Sequence, residues 1–216
     1  MAKCVIFCAA GFDGLVAPLA QDDYIIAADG GVAHTSALGL TPHVILGDFD
    51  SLGYTPEGAN VFPVEKDDTD AMLAIRQGLK LGYTEFYLYG CLDGPRLDHT
   101  IANFQSLQYL ADYGARGYLI GKDYIVTLIQ EETVVFPAGF EGVVSLFCLG
   151  KDATGITLRG LKYPLENGTL TSHFPLGVSN HFTGKDASVT VKCGSVTAMY
   201  DRKNGLPERR VSCVQD

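Results

Sequence analysis

The hydrophobic period of this 216-residue chain changes once, near residue 130, and that change restricts it to a two-part architecture. Up to Gln130, short β-rich apolar runs alternate with segments of helical period, the pattern of a parallel sheet with crossover helices. The expected strands are Cys4 to Ala9, Tyr24 to Ala28, Val44 to Leu46, Val61 to Val64, Phe86 to Tyr89 and Tyr118 to Ile120. Thr69 to Leu81 places Met72, Ile75 and Leu79 on one helical face, and Asp98 to Tyr113 does the same with Ile101, Phe104, Leu107 and Leu110 or Ala111. Beyond Gln130 the helical period is gone. Thr133 to Phe136, Val143 to Leu149, Ile156 to Leu158, Ala187 to Lys192 and Val196 to Tyr200 read as strands between Gly, Pro and Asn turns. The fold class is therefore α/β plus all-β: a doubly wound, Rossmann-like parallel-sheet domain over 1–130, then an antiparallel β-sandwich domain over 131–216, with Arg202 to Asp216 expected to fray.

Charge sharpens this division. Residues 1–130 hold 7 Lys and Arg against 16 Asp and Glu, whereas 131–216 hold 9 against 9, so the net charge of −9 arises in the first part. An acidic half repels phosphate backbones, which excludes a nucleic-acid partner, and an anionic ligand there needs a divalent cation. No apolar run approaches the roughly 20 residues of a membrane helix. The start of the chain lacks a cleavage pattern, and the six cysteines form no CxxC pair, so a cytoplasmic chain with reduced, buried thiols is expected.

Four strand ends carry aspartate. Asp48 and Asp50 follow Val44 to Leu46 at i and i+2, so they share a face of extended chain, an arrangement that repulsion disfavours unless a cation lies between. Lys66, Asp67, Asp68, Thr69 and Asp70 open the first long helix; capping accounts for one or two of these acids, and Lys66 and Thr69 suit a phosphate. Gly90 to His99 is a Gly-rich loop leading into the second helix, where backbone N–H groups and the forked guanidinium of Arg96 make an anion site beside Asp98. Asp29, Gly30 and Gly31 follow Tyr24 to Ala28. In an open parallel sheet such ends converge on one edge. Asp29, Asp48, Asp50, Asp70 and Asp98 are hard oxygen donors that suit Mg²⁺, and no Cys/His set exists for zinc.

Asp29-Gly30-Gly31, Gly47 to Ser51, Lys66 to Asp70 and Arg96 to His99 resemble the thiamine pyrophosphokinase family, and the likeness continues in order through Gly160 to Leu165 and Ser179-Asn180. The resemblance implies transfer of the pyrophosphoryl group of ATP to thiamine, giving thiamine diphosphate and AMP, with Mg²⁺, in a homodimer whose sites are shared between subunits. It assigns ATP contacts to Gly30, Gly31, Lys66, Asp67, Thr69, Arg96 and His99, and thiamine contacts to Tyr163, Ser179 and Asn180. Arg96 and Asp70 are then the catalytic pair, Asp70 orienting the thiamine hydroxyl or taking its proton. The α/β part becomes the ATP- and Mg²⁺-binding domain and the sandwich the thiamine-binding, dimerising one. The loop before Arg96 is one residue longer than the family's, and the chain has no Trp, which leaves Tyr163 as the aromatic wall. Paired aspartates also serve a Mg²⁺-dependent phosphohydrolase, and a non-catalytic thiamine or nucleotide sensor is the reading from a different class.

Overall fold

The computed structural model describes residues 2–50, 52–63 and 67–210, with Arg210 described by its backbone alone. The chain divides into two compact units, Met1–Lys122 and Asp123–Asp216.

The first unit is built on β1 (Cys4–Phe7), β2 (Tyr24–Ala28), α1 (Val32–Ala37), β3 (Val44–Gly47), β4 (Asn60–Val61), α2 (Asp70–Lys80), β5 (Glu85–Tyr89), α3 (Leu97–Asp112) and β6 (Arg116–Ile120). Its strands lie in the order β6-β5-β1-β2-β3-β4, and every neighbouring pair is parallel. β1 is buried at all four positions, and β5 and β6 at their last four, as expected of a sheet covered on both faces. The order reverses at β1, which has β2 on one side and β5 on the other, and ligand crevices of open α/β sheets form at such switch points. The Lys3 ammonium, held against the buried Asp23 carboxylate, ties the entrances of β1 and β2 together. On α3 the buried side is Asn103, Ser106, Leu107 and Leu110. Ile101, expected on that side, is 56% exposed because the helix rolls Asn103 inward to donate to Cys91 O at 2.7 Å.

The second unit begins with β7 (Tyr124–Gln130), β8 (Thr133–Phe136), β9 (Val143–Phe147) and β10 (Ala153–Arg159). It continues with β11 (Leu165–Leu170), β12 (Asn180–His181), β13 (Ala187–Thr190), β14 (Ser195–Asp201) and β15 (Glu208–Arg210). β7 pairs with β14 over its whole length, which places it in this unit and puts the division ahead of it rather than near Gln130. Antiparallel pairing gives two layers, β12-β9-β14-β7 and β11-β10-β13-β8-β15. Their core is aromatic: Phe136 of one layer meets Tyr200 of the other at 5.4 Å between ring centroids, with Phe140 and Phe182 beside them. The expected fraying from Arg202 stops short, because β15 pairs with β8 and Arg209 reaches inward to Glu132; residues 211–216 lie outside the described ones.

Candidate functional site

The carboxyl ends of β1, β2, β3 and β5 and the entrance of α2 open onto one cleft of roughly 600 Å³. Cys8, Ala9 and Ala10 line it after β1, Asp29 after β2, Asp48 and Asp50 after β3, Asp68 to Asp70 at the start of α2, and Gly90, Cys91 and Gly94 to Arg96 after β5, with His99 and Thr100 from α3.

Local chemistry explains how each group arrives there. Between Asp48 and Asp50 the side chain of Phe49 is 3% exposed, with φ of 57°, so burying that ring turns both neighbouring carboxylates to the open side. Asp48 Oδ1 accepts from Asp50 N–H at 3.3 Å and closes the turn. Asp29 also has positive φ, 48°, directly after β2. Thr69 is the N-cap of α2: its hydroxyl accepts from Met72 N–H at 3.2 Å, worth about 1 kcal/mol, and its own O–H proton is still available to donate. Asp68 pairs with Arg76, nearly two turns into that helix, at 3.2 Å. The loop after β5 is fixed by Asn103 on Cys91 O, by Thr100 Oγ1 donating to Leu92 O, and by Asp93 accepting from Lys122 N–H at 2.7 Å. Gly90 has φ of 65°, and a Cβ on it would lie 2.5 Å from Cys8 O, so β1 and β5 can end side by side only with glycine there.

Arg96 and Asp98 form a forked pair, Nη2 to Oδ2 at 2.7 Å and Nε to Oδ1 at 3.0 Å. The guanidinium holds the Asp98 carboxyl down at about 2, and Asp98 in turn, with a smaller effect from Asp50, strengthens the hold of Arg96 on its proton. Burial, reinforced by the charges of Asp70 and Asp29, pushes the Cys8 thiol up to about 12. Burial, with Cys8 as neighbour, pushes Cys91 up as well. Both cleft thiols therefore stay protonated and are not nucleophiles.

Of the residues singled out in the sequence, Asp29, Asp48, Asp50, Thr69, Asp70, Arg96 and His99 meet in this cleft. Asp98 is not among its lining residues and is engaged by Arg96; Asp67 is exposed and also absent from the lining. Gly30 and Gly31 do not line it either; a Cβ on Gly31 would sit 1.8 Å from Phe7 O, so this glycine serves the contact with β1. Lys66 and Ser51 lie outside the described residues. The small-residue run Cys8-Ala9-Ala10 also lines the cleft, and a run of small apolar residues carries no chemical signal in sequence.

Among the described residues no three His, Cys, Asp or Glu side chains are grouped to hold a metal as they stand. Mg²⁺ asks for less: it binds through one or two carboxylates and completes its shell with water and substrate phosphates. Asp29, Asp48, Asp50 and Asp70, all oxygen donors on one cleft, with Asp29 and Asp70 both close enough to act on Cys8, fit that requirement.

In the second unit, Asn180 is 4% exposed and its amide is engaged: Oδ1 accepts from Tyr163 N–H at 3.0 Å and Nδ2 donates to Tyr163 O at 2.7 Å. The Tyr163 ring itself is 56% exposed. Ser179 is exposed, with φ of 61°, and its N–H donates to Ser145 Oγ at 3.1 Å. Asn180 thus holds Tyr163 in place, a role that the pair Ser179-Asn180 does not reveal in sequence.

Residues 17–118 match the family model for the catalytic domain of thiamin pyrophosphokinase, and residues 127–196 match the model for its vitamin B1 binding domain. A thiamine pyrophosphokinase of Bacillus subtilis is 28% identical over 171 residues, 72% of this chain and 76% of that protein. In fold, the chain is similar to the crystal structure of thiamine pyrophosphokinase from Bacillus subtilis, with a TM-score of 0.80 at 23% identity over 92% of this chain and 99% of the other. It is also similar to thiamin pyrophosphokinase from Candida albicans, with a TM-score of 0.77 at 16% identity over 93% and 88%.

Proposed function

The chain belongs to the thiamin pyrophosphokinase family, and from that premise we propose how its residues carry out the family's reaction, the transfer of a pyrophosphoryl group from ATP to thiamine. The observation that carries the reading is the meeting of Asp29, Asp48, Asp50, Asp70 and Arg96 on one cleft at the carboxyl edge of a parallel sheet.

In this reading the thiamine hydroxyl oxygen attacks the β-phosphorus of ATP. The bond from that phosphorus to the α–β bridging oxygen breaks, and AMP leaves with that oxygen. Asp70, at the first position of α2, orients the hydroxyl and takes its proton. Arg96 presents a planar fork to the transferred group, and Asp98 keeps the fork aimed and charged while it waits. Thr69 donates its hydroxyl proton to a phosphate oxygen, His99 faces the same cleft, and Lys66 completes the nucleotide contacts, whereas Asp67, outside the lining, takes no part in them. Gly30 and Gly31 act through the backbone turn that sets Asp29. Mg²⁺, held by Asp48, Asp50, Asp70 and Asp29, would screen phosphate charge and favour the leaving group.

Thiamine binds on the second unit at Tyr163 and Ser179, with Asn180 as the clamp on Tyr163. Two copies of the chain assemble so that a metal-bearing cleft and a vitamin-bearing unit come from different subunits; the exposed apolar residues Leu149, Phe174, Leu176 and Val178 support an association through the second unit. Among the described residues no helix is long and apolar enough to cross a membrane. Among the described residues five cysteines are free and four of them buried, which supports a reducing, cytoplasmic setting.

The deciding assay measures AMP and ADP release from ATP and Mg²⁺, with and without thiamine. AMP that appears only with thiamine supports the reading. ADP in its place indicates an ordinary kinase, product without thiamine a phosphohydrolase, and no product a sensor.

A further inference from the structure

We propose that Lys162 is the built-in occupant of a cation-recognition face on Tyr163, and that a positively charged ligand binds there by displacing it. The proposal rests on the reading that thiamine binds at Tyr163. The Lys162 ammonium lies over the Tyr163 ring, 5.3 Å from its centroid. That distance lies within the range in which an aromatic face attracts a cation. The backbone that carries the ring is fixed. Asn180 grips both the N–H and the C=O of Tyr163. Lys162 N–H donates to His181 O at 2.9 Å, and Leu161 bridges to Phe182. Pro164 follows and restricts Tyr163 to extended backbone. The ammonium is the movable partner, on a four-carbon stem in the open.

A thiazolium ring is a permanent cation of aromatic shape, so it satisfies the same face over a larger area. Two cations cannot share one ring face. Binding therefore exchanges an intramolecular contact for an intermolecular one, and Lys162 lowers the apparent affinity by the strength of the contact it gives up. At an exposed ring that contact corresponds to roughly a two- to five-fold change in an equilibrium constant.

The experiment is a mutant cycle read as the KM for thiamine at saturating ATP. Lys162→Met is expected to lower KM about two- to five-fold. Lys162→Arg, which keeps a cation on the ring, is expected to leave KM near that of the native chain. Tyr163→Leu is expected to raise KM, and Lys162→Met in the Tyr163→Leu background to do nothing further. Tyr163→Phe preserves the ring and should keep the full response to Lys162→Met, which separates loss of the face from damage to the fold. If Tyr163→Leu leaves KM unmoved, the placement of thiamine at Tyr163 fails. If Tyr163→Leu raises KM but Lys162→Met does not lower it, or lowers it equally without the ring, the displacement proposal fails and the placement stands.

Discussion

Arg96 holds Asp98 through two parallel contacts, Nη2 to Oδ2 at 2.7 Å and Nε to Oδ1 at 3.0 Å, from the cleft side of the pair. Bidentate geometry of this kind suits a phosphate as well as a carboxylate. A lysine carries the charge without the fork. Arg96→Lys is therefore expected to reduce kcat by roughly 10²-fold, the scale of losing one preorganised donor to the transition state. Asp98→Asn keeps the arginine charge and should cost far less. Steady-state AMP release for both variants checks this, and an Asp98→Asn loss as large as that of Arg96→Lys would mean that Asp98 itself touches the reacting groups.

The turn around the buried Phe49 sends Asp48 and Asp50 to the same opening. Asp50→Asn removes a negative charge without changing shape. It is expected to lower turnover at least 10²-fold and to shift the Mg²⁺ dependence of any residual activity to higher concentration, with circular dichroism unchanged. Native Mg²⁺ dependence in that variant would take Asp50 out of the metal set.

The proposed sharing of sites between two subunits has a direct consequence in mixtures. Asp50→Asn and Asn180→Ala chains, each impaired alone, should regain activity when their subunits exchange, because some heterodimers then carry one intact site. Proven exchange without recovery would place the whole site within one chain.

Lys3 and Asp23 set a stability window at low pH. Burial opposes ionisation of Asp23, but hydrogen bonds from the Lys3 side chain and from the Ala20 and Lys3 N–H groups, with the Lys3 charge, outweigh it and hold the carboxyl below its usual range. A folded-state value below the unfolded one means that this stabilisation is complete above about pH 4 and is lost as pH falls through the lower folded value. Lys3→Met leaves a buried carboxylate without its cation and should cost about 3 kcal/mol at pH 7. The cost should shrink near pH 3, where Asp23 is protonated in the variant. Urea denaturation at the two pH values tests this; an equal loss at both would assign the effect to packing.

The parallel sheet and its acid-bearing ends were legible because period and residue type coincide there: an apolar strand, an abrupt aspartate, then a helix. Asp98 was harder to place. It sits two residues from Arg96 at a helix start, where sequence cannot tell a metal ligand from a salt-bridge partner, and the structure pairs it with the guanidinium. Ile101 has the right spacing for the α3 core face, but Asn103 takes the inner side because it has a backbone carbonyl to satisfy at Cys91. Asn180 was legible as a polar group of interest and not as a clamp, since its partner Tyr163 is 17 residues away in sequence. β15 is three charged residues near the chain end, with no apolar alternation. What orders it is long-range: Arg209 meets Glu132 at a separation of 77 residues.

That contact yields the last prediction. The Arg209 guanidinium donates to the Glu132 carboxylate, to Leu128 O at 3.1 Å and to Thr127 Oγ1, so one side chain from the final strand serves three acceptors around β7 and β8. The two charged side chains are only 6% and 9% exposed. A buried charge that loses its partner keeps its desolvation cost and forfeits the attraction that offset it. Arg209→Met is expected to destabilise the chain by about 3–5 kcal/mol, and Glu132→Gln by a similar or smaller amount because the amide oxygen still accepts. Arg209→Met combined with Glu132→Gln should be much less harmful than the two single losses added together, since both charges leave at once. Denaturant titration of the three variants reads this coupling. Additive losses would show that the ion pair contributes nothing specific and that β15 is held by its ladder with β8 alone.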